Sequence, residues 1–381
     1  MDNLTHSLVG LSLSKAGLER VSPYATTVCL LSANAADADF VSLFFGDRWT
    51  LLHHHRGITH SIVGTITIGL LVPLLVAVIE RTIASIRRRA PTIRLRGLMV
   101  ASLIAAATHP LMDWMNNYGV RPLLPWSGRW FYGDLVYIID PYIWLLLGAA
   151  MFLLTSKGRL RIFAWAVLAA ITTTLILIAS IRGGTDASAL RFLLVIWIAG
   201  AIAVVVVRAT GFHKRLNHRA ALAALALVLM YWGGLAIAHR AAYAAALAKA
   251  NQLANSRGES IVKVASMPMI ATPFNWQSVA ETDRATYRYP ITITSDDRAT
   301  DLSGVRRFEK PTGGAAELVS IAERDRRAQE FLLFARFPIA VPEPSDCIGQ
   351  ALVQFADIRY TEPGATRGTF SVNVRVDCPA R

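Results

Sequence analysis

Apolar and polar positions divide this 381-residue chain into three regimes. Between residues 60 and 239 lie six runs that each approach the ~20 apolar residues needed for a helix to cross ~30 Å of hydrocarbon. They cover residues 60–79, 97–115, 135–155, 160–181, 190–208 and 220–239, and each predicts a membrane span. Residues 1–20 are too short and too polar to span alone, and Pro23 breaks them. Tyr24 to Phe45 is half apolar but interrupted by Asn34, Asp37 and Asp39. A lipid-facing helix would carry each carboxylate into hydrocarbon at a cost of roughly 2.5–3.5 kcal/mol. The stretch therefore predicts a segment packed inside protein or re-entrant, its polar residues lining a cavity.

Beyond residue 240 the pattern changes. Ala-rich Arg240–Asn255 continues the last helix, after which TYRYPITIT and FSVNVRV alternate with period two and predict strands. Glu317–Arg336, charged and free of proline, predicts a helix between them. The fold class is thus mainly α: a polytopic helical bundle over residues 1–240, followed by an extracytoplasmic α+β domain over 241–381 of ordinary domain size. Cys347 and Cys378 are nearly symmetric about Glu362-Pro363-Gly364. A hairpin turning there would set the two thiols opposite each other, and an oxidising compartment would permit a disulfide.

Composition agrees with the pattern, since 54% of residues are hydrophobic and only 17% charged. A net charge of +13 could serve nucleic acid, but the basic residues fall between apolar runs and no RNA or DNA module is present. The expected partner is the lipid bilayer, with no nucleic acid. Arg81, Arg87, Arg88, Arg89, Arg94 and Arg96 fill the first loop, Lys157, Arg159 and Arg161 the third, and Arg208, Lys214, Arg215 and Arg219 the fifth. The intervening loops hold only Arg121, Arg129, Arg182 and Arg191. That asymmetry makes the first, third and fifth loops cytoplasmic and places residues 51–60, 116–134 and everything after 240 outside. Three cysteines without a CxxC pair argue against a thiolate zinc finger. The start, MDNLTHSLVG, lacks the basic region of a cleaved signal peptide.

Histidine placement carries the candidate chemistry. Six of nine histidines (His6, His53, His54, His55, His60 and His109) lie in the first 109 residues, four of them in LLHHHRGITHS at Leu51–Ser61. Neutral imidazole is the commonest protein ligand of transition metals. His109 and Asp113 are four apart and share one face of a helix, able to bind one metal or two adjacent ones. Pro110 weakens the turn before it, and the pair could equally be a buried His–Asp hydrogen bond that fixes helix packing. Asp37 and Asp39 suit a loop that aims two carboxylates at one site, or a polar turn. His55 and His60 flank Gly57, which permits a turn bringing both to one point, and Arg56 offers a fork suited to phosphate or carboxylate. The alternative for the histidine run is interfacial polarity. His213, His218 and His239 lie near helix ends and read as solvated or interfacial.

These pieces resemble the YdjM/YbcI-like family of membrane-bound metal-dependent hydrolases. The matching residues are Thr5-His6-Ser7-Leu8-Val9-Gly10, Ala36-Asp37-Ala38-Asp39, His55-Arg56-Gly57-Ile58-Thr59-His60-Ser61 and His109-Pro110-Leu111-Met112-Asp113, within roughly residues 1–150. The family's usual Pro-Asp-x-Asp stands here as Ala36-Asp37-Ala38-Asp39, without the proline but with both carboxylates. Trp130-Phe131-Tyr132-Gly133-Asp134 through Asp140-Pro141 is similar to longer members.

The resemblance implies a metal-dependent hydrolase with one or two divalent ions, zinc first. The donor set and the loop charges add the expectation of a phosphoester or related ester substrate, such as a lipid, and of a multi-pass protein of the bacterial inner membrane with a periplasmic C-terminal domain. The expected metal ligands are His6, Asp37, Asp39, His54, His55, His60, His109 and Asp113. Arg56 would steady an anionic substrate, and Asp134 and Asp140 would act as bases or partners of the ligands, or as a helix cap and a solvated carboxylate. Two other classes stay open: a metal- or proton-binding transporter, and an envelope scaffold.

Overall fold

Helix starts follow caps written into the sequence. The Asp2 carboxylate accepts from the Thr5 amide and opens α1 (Asn3–Ala16), and Asp47 accepts from the Trp49 and Thr50 amides and opens α3 (Arg48–His54). Ser61 accepts from the Gly64 amide and opens α4 (Ile62–Ile86). Between the first two lies α2 (Ala25–Asn34), which runs on as a 3-10 stretch over Ala35–Phe44. The helical part is completed by α5 (Leu95–Trp114), α6 (Pro141–Thr155), α7 (Arg159–Arg182), α8 (Ala187–Ala209) and α9 (His218–Asn255). The computed structural model describes residues 1–182, 187–294, 304–343, 349–364 and 370–378.

Six of the described helical segments are long and apolar enough to cross a membrane: Ala25–Phe44, Ile62–Ile86, Leu95–Trp114, Arg159–Arg182, Ala187–Ala209 and His218–Asn255. Two differ from the sequence expectation. Ala25–Phe44, expected to be re-entrant or packed, has the length and hydropathy of a span, with Asp37 and Asp39 confined to its 3-10 part. The expected span at 135–155 is helical only from Pro141, because the Asp140 side chain caps the Tyr142 and Ile143 amides and Pro141 takes the first helical position. Its 15 residues reach about 22 Å, short of the hydrocarbon thickness. The last span and its Ala-rich continuation form one 38-residue helix. On α4, α7 and α8 most large apolar side chains point out of the protein, as lipid-facing helices require.

The chain divides into two compact units. The first comprises Met1–Ala38, Arg56–Ile237 and Pro268–Pro273. In it α1, α2 and α5 pack closely, with Gly10 permitting the approach: a Cβ there would lie 2.8 Å from the Cys29 carbonyl oxygen. Ser32 and Ser102 hydroxyls bond across α2 and α5 at 2.7 Å, and Ser14 and Thr26 across α1 and α2 at 2.6 Å, joining the helices by polar contacts.

The second unit comprises Asp39–His55, Ala238–Met267 and Phe274–Arg381. Its first sheet runs β1 (Ile261–Met269), β2 (Thr272–Thr282), β3 (Ala285–Thr292), β4 (Arg306–Glu309) in that order. Trp276, Tyr287 and Tyr289 of this sheet bury against Ala242, Ala246 and Ala250 of α9. The second sheet is an antiparallel meander of β5 (Pro338–Glu343), β6 (Gln350–Asp357) and β7 (Ser371–Asp377). Gln350 pairs with Asp377, an antiparallel register two residues from the one expected of a hairpin turning at Glu362–Gly364. Cys347 lies outside the described residues, and with it the expected cysteine pairing. The single helix expected at Glu317–Arg336 is two, α10 (Gly314–Ala322) and α11 (Arg326–Phe334), because Asp325 stops to cap the second by accepting from the Arg327 amide.

Residues 39–55 belong to this second unit although they precede most of the spans. Trp49 buries in a core with Phe331, Val353, Phe355 and Val374. Arg326 pairs with Asp47 at 2.9 Å, His53 Nδ1 with Glu330 at 2.6 Å, and Arg48 donates to the Ser371 carbonyl at 3.1 Å. Trp49→Ala should therefore destabilise the second unit by about 3–5 kcal/mol. Thermal unfolding of the full chain with limited proteolysis across residues 39–55 would read this. Unchanged melting and protection would contradict the packing.

Candidate metal centre

Three segments of the first unit converge on one buried point. Asp37 comes from the 3-10 continuation of α2, and His60 from a single 3-10 turn, Ile58–His60, just before α4. His109 and Asp113 come from successive turns of α5, which passes through Pro110 unbroken. Each of the four offers one donor atom, and these atoms all lie within 4.8 Å of one another. The two imidazoles meet Nε2 to Nε2 at 3.1 Å. Asp37 Oδ1 is 3.4 Å from both of those nitrogens, and Asp113 Oδ2 is 3.3 Å from His60 and 3.5 Å from His109. His60, His109 and Asp113 are almost fully buried.

The neighbours explain why the donor atoms point inward. His109 Nδ1 donates to the Ala33 carbonyl at 2.7 Å, which leaves the Nε2 lone pair facing the centre. His60 Nδ1 lies 3.0 Å from the Thr59 hydroxyl. The turn that carries His60 presses onto the start of α4 so closely that a Cβ on Gly64 would stand 2.0 Å from the Ile58 carbonyl oxygen. Only glycine fits there. Arg56 Nη2 is 3.0 Å from Asp113 Oδ1, while Nη1 donates to Asn116 Oδ1 at 2.9 Å and to the Gly119 carbonyl at 3.2 Å. Its guanidinium also sits 4.4 Å above the Tyr118 ring. These contacts hold Arg56 in the left-handed backbone region (φ 54°), unusual for a residue with a Cβ.

His6 stacks on His109 with ring centroids 3.7 Å apart, and its Nε2 is 3.5 Å from Asp113 Oδ1. It is fully buried, and neither ring nitrogen has a hydrogen-bond partner among the described residues. Burial, reinforced by nearby positive charge, holds its pKa well below the usual 6.5 and keeps the ring neutral. The Met1 amino group also lies against Asp113.

The expected ligands Asp39 and His55 also offer donor atoms in a second group able to hold a metal ion. Asp39 and His55 pair with each other at 3.1 Å in the second unit, with the Phe40 ring against His55. His54 is exposed, edge-on to His53. Asp134 is buried in a segment docked on the end of α5, where the Gly133 amide donates to the Trp114 carbonyl and the Leu135 amide to that of Met115. Its backbone, like that of Arg56, is left-handed (φ 53°). Asp140 is the cap of α6 and also accepts from the Tyr231 hydroxyl at 2.8 Å.

Sequence reasoning passed over Thr59, Asn116 and Tyr118. Thr59 stands inside the His55–Ser61 motif, and Asn116 and Tyr118 follow Asp113 by three and five residues. A search for partners of the named ligands, rather than for further ligands, would have found them.

Geometry and hydropathy together define a class: a multi-pass helical membrane protein with a buried carboxylate–imidazole centre able to hold a metal ion. Residues 1–184, which contain the whole centre, match the family model described as YdjM inner membrane protein. The chain is also 25% identical over 153 residues to the uncharacterized protein YfhP of Bacillus subtilis (strain 168). That match spans 38% of this chain and 43% of the relative, well under two thirds of the relative's length. No solved structure gives a significant match.

Titration of purified protein with zinc should show about one ion per chain, as four protein donors suit. Thr59→Val should weaken binding roughly 10–100-fold by releasing the His60 ring, whereas His54→Ala should leave it unchanged. Equal affinity in Thr59→Val and wild type would contradict the orienting role.

Proposed function

We propose that the first unit is a membrane-embedded, metal-dependent hydrolase, with Asp37, His60, His109 and Asp113 holding a divalent ion. The observation that carries this reading is the convergence of four donor atoms within 4.8 Å inside a buried region. Buried carboxylates and imidazoles are costly to gather without a cation to share. The residues fit such an ion: both histidines are oriented from behind, and the adjacent buried His6 ring has no hydrogen-bond partner among the described residues. Two imidazoles and two carboxylates make a mixed N/O set that suits Zn²⁺. Once bound, a divalent cation supplies Lewis acidity and lowers the pKa of water beside it toward ~7.

The chain's own residues do the rest. Arg56, spanning Asp113, Asn116 and the Gly119 carbonyl, fixes the Asp113 carboxylate and is a positioning residue. Asp134, on the segment docked against the end of α5, is the candidate to take a proton from attacking water. The substrate class that fits a hydrolytic centre among membrane spans is a phosphoester or related ester of a lipid. The basic loops favour a centre on the outer side and a second unit in the periplasm, a topology in which residues 135–155 cross as a whole although α6 itself is short.

Detergent-purified protein loaded with zinc should hydrolyse members of a panel of phospholipid and carboxylic esters. Chelation, His60→Ala and Asp113→Asn should each return the rate to background. Equal rates in wild type and both variants would overturn the assignment. Alkaline phosphatase fused at residue 310 should be active; a cytoplasmic reporter active there instead would reverse the orientation.

A further inference from the structure

The first unit contains an apolar cleft of about 420 Å³ walled by α1, α6, α7 and α8. This volume falls within the range of roughly 300–1,000 Å³ of small-ligand sites. Small residues make the space: Gly148, Ala166, Ala169 and Ala201 line it. A Cβ built on Gly148 would meet nothing within 4 Å.

The polar groups on its lining are each turned to a protein partner. Trp144 Nε1 donates to Thr5 Oγ1 at 3.0 Å, Trp165 Nε1 to Thr155 Oγ1 at 3.0 Å, and Trp197 Nε1 to Thr173 Oγ1 at 2.8 Å. The Thr172 hydroxyl donates to the Leu168 carbonyl at 2.9 Å. The cleft therefore offers its contents indole faces and methyl groups, with side-chain donors already engaged. Water needs two to four polar partners to occupy such a space. A packing helix, 10–12 Å across with its side chains, is too wide.

We infer that the cleft binds one acyl chain of a bilayer lipid. The cleft opens among spanning helices, so the phase it meets is hydrocarbon, and a single alkyl chain is both narrow and apolar. Leu4 and Leu8 put α1 on its wall, each two residues, about half a turn, from His6. By helical geometry they face away from that ring, so a bound chain braces the helix that carries His6 without entering the metal centre. The inference stands apart from the hydrolase reading, because it concerns binding alone.

The test uses the full chain in detergent, titrated with a phosphatidylglycerol brominated in mid-chain, with quenching of tryptophan fluorescence as the readout. Wild type should quench saturably, at about one lipid per protein, the stoichiometry of a single site. Excess unbrominated long-chain lipid should reverse the quenching, and a dihexanoyl lipid with the same headgroup should not. Gly148→Leu should remove the saturable part while circular dichroism stays unchanged. Linear quenching in wild type, reversal by the dihexanoyl lipid, or saturation in a folded Gly148→Leu equal to wild type would each overturn the inference. Should Gly148→Leu fail to fold, the two competition arms on wild type decide.

Discussion

The constraint on which the first unit depends is the withdrawal from water of two carboxylates, Asp113 fully buried and Asp37 partly so, within an apolar body. An ionised group taken out of water without compensation costs several kcal/mol even after relaxation. The chain answers by bringing cationic and hydrogen-bonding groups to fixed places around them. Arg56 accepts a left-handed backbone to reach Asp113, and Asn116, Gly119 and Tyr118 hold its guanidinium in turn. Gly64 lets the His60 turn press onto α4, and Gly10 lets the helix bearing His6 press onto α2. Removing one partner of a buried ion pair costs about 3–5 kcal/mol, because the other charge is left stranded. The same cost makes a shared cation the natural occupant of the gathered donors.

The second unit has its own logic, and part of it is made from the chain's early residues. The peptide between Asp37 and Arg56 leaves the metal-centre segments, places Trp49 in the second unit's core, and returns to deliver Arg56 and His60. The Asp39–His55 pair joins the two ends of that excursion. Residues at either side of a docked segment inherit its order.

Much of this was legible in the sequence. Hydropathy alone located the long spans, because a 20-residue apolar run has few other uses. Period-two alternation located β3 and β7, and symmetry about Glu362–Gly364 anticipated the antiparallel pairing of β7 with β6, in a register two residues from the one expected. His109 and Asp113 were readable as a helical pair from their spacing, and His60 and Asp37 from the rarity of such groups beside apolar runs. Other features were not legible. Periodicity does not say that Asp140 stops α6 from extending back to residue 135, nor that Asp325 divides a charged helix in two. The docking of Trp49 is a contact across some 280 residues of chain, invisible to any local pattern. His54 and His55 are neighbours in sequence, yet one is exposed and the other pairs with Asp39. Which way each ring faces depends on where α3 docks.

The central claim is that Asp37, His60, His109 and Asp113 share one metal ion, and X-ray absorption at the zinc edge of the purified, zinc-loaded protein tests it most directly. The account predicts a low-coordinate site with imidazole scattering and Zn–N distances of about 2.0–2.1 Å, with the imidazole signal reduced in His109→Ala. A six-oxygen shell without imidazole, or a spectrum unaltered by loss of His109, would contradict it.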